Sequence, residues 1–190
     1  MQVKMRLFGP ILALLPFLMA CGTNTDRPVY SIFSILSVAA PAIVDVEPVD
    51  ISEGLFGTPD YRLRYGFKVK YYVSNQEPEF VGYNLYITTT SLSTEAILTG
   101  IGTEPYLPLG YEPTFQHSPS EANTSSSSLI TKQVESLKAP PGEVPFQVCE
   151  KYFFRLQAVL LTGIESAPGP QVSSCAFYDS TLCPASSSCN

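Results

Sequence analysis

Few side chains in this chain could do chemistry, and their spacing limits what that chemistry could be. His117 is the single histidine among 190 residues, and no motif surrounds it. Acyl transfer by a serine needs a nucleophile raised on a strained strand-to-helix turn, and the Gly-x-Ser-x-Gly elbow is missing. No Gly-rich loop follows a strand to cradle a phosphate. Asp45, Glu47 and Asp50 cluster on or after an expected strand, where a solvated face is the plainer reading than paired carboxylates or a calcium site. The five cysteines include no Cys-x-x-Cys pair, and with one histidine no zinc ligand set assembles. No metal, no other cofactor and no enzymatic activity are therefore expected. The best binding candidate is a cationic stripe, Arg62, Arg64, Lys68 and Lys70, on one face of an acidic protein. It suits acidic glycans, lipid headgroups or a partner's carboxylates. Cross-strand pairing with acids is the alternative.

Cys21 needs the elements before it. Lys4 and Arg6 precede an apolar segment, Leu7 to Ala20, of 14 residues interrupted by Pro10 and Pro16. A spanning helix needs about 20 apolar residues, so this segment reads as a leader. Leu18-Met19-Ala20-Cys21 resembles the lipobox of a bacterial lipoprotein precursor. The resemblance implies that residues 1–20 are removed, that Cys21 carries diacylglycerol, and that residues 21–40 form a tether. One acyl chain binds a membrane marginally, whereas two or more hold stably at ~0.8 kcal/mol per buried methylene. Gly22 stands where some bacteria use Asp to retain lipoproteins in the inner membrane, so the expected address is the cell envelope, at the outer membrane.

Removing Lys4 and Arg6 leaves 9 basic against 17 acidic residues, a net charge of −8. That excludes a nucleic-acid binder, which needs a basic footprint. Seventeen prolines, 11 Tyr, 11 Phe and no Trp point to strands and turns. Ile43 to Pro48 reads as a first strand. Arg62 to Val73 alternates most cleanly, with Leu63, Tyr65, Phe67, Val69 and Tyr71 on one side and the cations on the other. Phe80 to Thr88, Lys151 to Leu160 and Gln171 to Phe177 continue the pattern, with a turn at Thr162-Gly163. Short strands without helical repeats predict an all-β antiparallel β-sandwich.

Val81-Gly82-Tyr83-Asn84-Leu85-Tyr86 resembles the third strand of a fibronectin type III domain, and Tyr152 to Val159 with Gly163 to Pro168 resembles its sixth strand and last hairpin. The resemblance implies an immunoglobulin-like domain over residues 41–178, followed by a Cys/Ser-rich tail, 179–190. It also makes Tyr152 the tyrosine-corner residue, its hydroxyl returning to backbone near the preceding turn. The family's second-strand Trp is absent, so Tyr71 or Phe67 must fill its volume. Between the matching strands lie 62 residues, Thr88 to Cys149, about twice the family's usual span.

That insertion contains Glu104 to Ser128, where Tyr106, Tyr111 and Phe115 alternate with prolines before a serine run. It is either an ordered contact surface or a flexible loop. The four cysteines after Cys21 are expected in disulfides. Cys149 and Cys175 share a midpoint at residue 162, which predicts a bridge across the last hairpin. Cys183 and Cys189 would then close the tail. The functional expectation is a lipid-anchored envelope module for adhesion, held to the membrane by Cys21 and contacting a protein or glycan. A periplasm-facing assembly lipoprotein is the alternative, and an enzyme accessory domain is the more distant one.

Overall fold

The computed structural model describes residues 38–118, 120–121, 128–177 and 183–189; the leader and Cys21 lie outside them. In chain order the elements are β1 (Ile43–Asp50), β2 (Tyr65–Tyr71), β3 (Phe80–Thr88), α1 (Thr94–Thr99) and β4 (Phe115–Gln116). They continue with β5 (Ile130–Val134), β6 (Ser136–Lys138), β7 (Val144–Pro145), β8 (Lys151–Leu160) and β9 (Val172–Cys175). The strands form a three-stranded sheet, β1-β2-β5, a four-stranded sheet, β4-β3-β8-β9, and a small β6-β7 ribbon. Every pairing is antiparallel.

Alternation sets the inner faces. Phe67, Val69 and Tyr71 of β2 are fully buried, while Lys68 and Lys70 between them are half-exposed. Tyr83 and Leu85 of β3 and Tyr152, Phe154 and Leu156 of β8 meet them in one core cluster. Phe67 lies at its centre, with ring centroids 4.8 Å from Phe146 and 4.9 Å from Phe154. Tyr71 packs edge-on to Tyr83 at 5.6 Å. Burial of these aromatic rings is the main driving force for joining the sheets.

Two boundaries differ from expectation. Leu63 is 54 % exposed rather than in the core. Arg62 bridges Glu53, and Arg64 exchanges hydrogen bonds with Ile51 and Ser52, so the inward alternation begins only at Tyr65. The tether also ends earlier than Ala40. Val38 is buried, Ala39 N donates to Glu77 Oε1 at 3.0 Å, and Asn75 Nδ2 donates to Ala39 O at 2.8 Å.

All four described cysteines are in disulfides, but the expected partners are exchanged: Cys149 bonds Cys183, and Cys175 bonds Cys189. Close to the turn the hairpin has the expected midpoint, with Leu160 N donating to Ile164 O and Val159 opposite Glu165. Beyond Pro168-Gly169-Pro170 the second arm has gained two residues, so that Phe154 faces Val172 and Lys151 faces Cys175. Cys149 N instead donates to Phe177 O. With its cross-hairpin partner displaced, each cysteine takes one from the tail, which folds back so that Lys151 N donates to Ser188 Oγ at 2.8 Å.

Candidate binding face and groove

The outer face of the four-stranded sheet is covered. Asn84 and Tyr86 of β3, with Arg155 and Gln157 of β8, point away from the core, and all four are buried. The cover comes from the insertion after β3 and from residues 165–171. Ser93 caps α1 by accepting from Ala96 N, and Gly100 ends it with φ 65°, the left-handed conformation that glycine adopts without strain. Ile97 of α1, Leu92 and Tyr86 make a second small apolar cluster.

Arg155 ties the two covering segments together. Its guanidinium donates to Leu92 O at 3.0 Å and Thr94 Oγ1 at 3.1 Å in the insertion, and to Gly169 O at 2.7 Å and Pro168 O at 3.3 Å in the β9 arm. A planar fork with five donors suits this divided role. Gln157 Nε2 donates to Ser166 O at 2.9 Å, and Tyr86 Oη donates to Gln157 Oε1 at 2.8 Å. Asn84 Nδ2 reaches Glu165 Oε1 at 3.4 Å. Glu165 as a residue is exposed, yet this contact turns its carboxyl toward the sheet. Burial and then the Glu112 charge raise its pKa above the usual carboxylate range, against the hydrogen bonds from Asn84 and Gln157. Burial, followed by the charges of Glu165 and Glu112, raises the Tyr86 phenol.

Beside this face the insertion and the β6–β7 ribbon enclose a groove of about 830 Å³. Its walls include Thr89, Thr103, Glu104, Tyr106, Glu112 and Lys138. Hydroxyls, carboxylates, one aromatic ring and one ammonium can hydrogen-bond and stack on a polyhydroxyl or peptide ligand. Among the described residues no three His, Cys, Asp or Glu side chains assemble around a metal position.

The residues singled out by sequence divide. The cationic stripe is not a free patch, because Arg64 pairs with Glu143 and Glu53, and Lys70 pairs with Glu47 and Asp45. Antiparallel register brings these acids opposite the cations: β1 lies beside β2 with Glu47 facing Lys68 and Asp45 facing Lys70. Lys68 and the exposed Arg62 carry no side-chain ion pair among the described residues. In the insertion, Tyr106 is half-buried, its N–H donating to Leu85 O at 2.7 Å, and it lines the groove. Tyr111 is exposed. Phe115 is not a contact residue of a loop: it is buried in β4 and stacks on Tyr71 at 5.5 Å. β4 is two residues long, too short to show alternation. Its neighbour His117 is buried, with Nε2 2.8 Å from Tyr71 Oη, and burial lowers its pKa.

Tyr152 Oη accepts from Gln147 N at 2.8 Å and donates to Glu150 Oε2 at 3.0 Å. Burial pushes its phenol up to about 12. The residues that sequence reasoning missed are Asn84, Arg155 and Gln157, which alternation assigns to an outer face. The available signal was that aromatic Tyr86 and Phe153 share that face with them.

Fold and bonding together define an antiparallel all-β protein with two disulfides and a groove built by its long insertion. The chain belongs to the LIC11073-like family, whose model matches residues 20–190. No curated protein matches it. Among solved structures it is similar to the beta-1,2-glucanase from Parabacteroides distasonis, at 13 % identity over 75 % of this chain and 14 % of that one, with a TM-score of 0.32. The chain thus spans a small part of that protein, and the likeness bears on neither fold nor activity. No helix among the described residues is long and apolar enough to cross a membrane, a statement that does not concern β-barrels.

Proposed function

We propose that this is a lipid-anchored module of the bacterial envelope that binds a protein or glycan without catalysing a reaction, using the groove formed by its insertion. The observation that carries the reading is this groove: the described part of the long insertion lines a space of about 830 Å³ whose walls mix polar and apolar side chains. A fibronectin type III-like sandwich is the scaffold. Three strands packed on four, and a tyrosine hydroxyl held by backbone five residues upstream, support that assignment. The leader and Leu18-Met19-Ala20-Cys21 support lipidation of Cys21, and the family match beginning at Ala20 is in keeping with a removed leader.

Binding is tested by screening the full chain against arrays of bacterial and host glycans and surface proteins. Glu104→Gln and Lys138→Ala serve as groove variants, since both side chains are exposed and neither substitution disturbs the core. Loss of a wild-type ligand in these variants is the expected result; retention of every ligand would sink the groove as the contact site. Cys21→Ser should move the protein out of the membrane fraction and leave its precursor uncleaved. Protease resistance on intact cells, lost on lysis, would turn the module toward the periplasm and away from surface adhesion.

A further inference from the structure

The insertion covers only part of the outer edge of β3. Antiparallel pairing turns the main-chain groups of alternate residues to opposite edges of a strand. Val81 O accepts from His117 N, and Tyr83 lies opposite Phe115 of β4. Leu85 O accepts from Tyr106 N at 2.7 Å, and Leu85 N donates to Thr114 Oγ1 at 3.0 Å. Ala158 and Leu156, opposite Tyr83 and Leu85 in β8, turn the other way and accept from Ser166 N and Gly169 N. The Thr114 hydroxyl also donates to Tyr106 O at 2.6 Å, so it stands as a wedge between the strand and the insertion. Beyond the wedge the cover stops. By the same alternation Ile87 turns its N–H and C=O to the groove, and among the described residues no segment pairs with them. Its side chain belongs to the core, and the residue is only 7 % exposed. Main-chain groups at such positions are nearly always hydrogen-bonded.

We propose that this edge takes an extended peptide segment of a partner protein by strand addition, one partner residue exchanging two hydrogen bonds with Ile87. The inference rests on the groove being the contact site, and it chooses a polypeptide over a glycan. A peptide residue carries one donor and one acceptor at the spacing that complements the N–H and C=O of Ile87. The stretch also lacks the devices that keep an edge unpaired, namely lysine, proline or a bulge. Ile87-Thr88-Thr89-Thr90 has none of them, and the irregularity in the β3–β8 register lies at the other end of the strand. Gly100, Gly102 and Gly142 line the groove with open space where a side chain would stand. Glu104 and Glu112 outnumber Lys138 on its walls, which favours a segment that carries lysine or arginine beside the pairing residue.

The experiment pans a display library of random linear peptides on the full, disulfide-intact chain. Enriched sequences should carry lysine or arginine. In synthetic copies of the best binder, N-methylation of one residue should weaken binding roughly tenfold, while its immediate neighbours tolerate it, because their N–H groups point away from β3. Binding should also slow exchange of the Ile87 amide proton. Gly142→Trp, at an exposed position where an added Cβ meets nothing within 4 Å, fills the groove and should abolish binding. Glu104→Lys repels the basic segment, should weaken binding, and keeps the test available if Gly142→Trp misfolds. No enriched peptide, binding indifferent to N-methylation at every position, or an Ile87 amide left unprotected by the bound peptide would overturn strand addition. The two readings fail differently. Ligands retained by folded Gly142→Trp would overturn both. An oligosaccharide bound by the wild type and lost in Gly142→Trp, with no peptide enriched, would overturn strand addition alone.

Discussion

Both sheets carry polar side chains on their outer faces and treat them in opposite ways. On β1-β2-β5, Lys68 and Lys70 stand beside Asp45 and Glu47, partly in water, and Lys70 pairs with both acids across the strands. On β4-β3-β8-β9, Asn84, Arg155 and Gln157 occupy equivalent alternate positions but are buried under the insertion and residues 165–171. In water an imperfect pairing costs little, since solvent completes the hydrogen bonds. Under a cover each donor and acceptor needs a protein partner, so Arg155 and Gln157 are fixed by the segments that cover them. The Asn84 amide oxygen, without a partner among the described residues, marks where the arrangement on this face remains unsatisfied.

The comparison can be broken most forcefully at the disulfide that clasps the end of the covered sheet. Cys149→Ser with Cys183→Ser opens a link between residues 34 apart and should cost about 3–4 kcal/mol in denaturant unfolding. Faster hydrogen exchange should concentrate in β8 and β9 and spare β1. Exchange rising equally in both sheets would contradict a clasp local to the covered one. Next comes Arg155→Ala, which strands acceptors on both covering segments. A loss of about 3 kcal/mol is expected, as for removal of a buried, multiply hydrogen-bonded charge. A near-neutral result would mean that water reaches this face and that the two sheets are alike.

What the sequence revealed follows the same division. Alternation gave β1, β2, β3, β8 and β9 within a few residues, because period two reports which side chains face a common core. It could not report the cover, since Asn84, Arg155 and Gln157 read the same whether water or an insertion lies above them. The cysteine partners were missed through two residues near Pro168-Gly169-Pro170: a midpoint argument assumes that both arms have equal length, and this stretch lengthens one. Phe115 was read as part of a contact loop because a two-residue strand carries no period. The cations of β2 were correctly placed opposite the core, but the acids that neutralise Arg64 and Lys70 come from other segments of the chain. Of the candidate site, only Tyr106 was named in advance, on its aromatic character.

His117 tests the edge of the covered sheet with a smaller effect. Burial holds its pKa below the ordinary 6.5, with Lys132 acting in the same direction and Glu121 opposing. The unfolded chain therefore takes up a proton first as pH falls. The stability contributed by the neutral imidazole is fully present above pH 6.5 and is lost as pH drops through the lowered folded value. Thermal unfolding between about pH 8 and pH 5 should show a steeper decline in the wild type than in His117→Gln. Both chains carry Glu165, whose raised pKa acts with the opposite sign, so the difference between the curves isolates the histidine. Parallel curves would show that β4 leaves His117 open to solvent.

Lys70→Ala is the smallest test and the reciprocal of Arg155→Ala. Lys70 has more carboxylate partners than Arg155, since both Glu47 and Asp45 reach it and Glu47 raises its pKa. Counting carboxylates alone would rank it as the more important cation. Solvent reverses that ranking: water replaces what the alanine removes, and salt screens what the pair contributes. The unfolding temperature of Lys70→Ala should stay within measurement scatter of the wild type, and any remaining difference should shrink as salt is added. A loss matching that of Arg155→Ala, insensitive to salt, would mean that the face of β1-β2-β5 is also covered in the native protein, by a partner that docks on the paired charges.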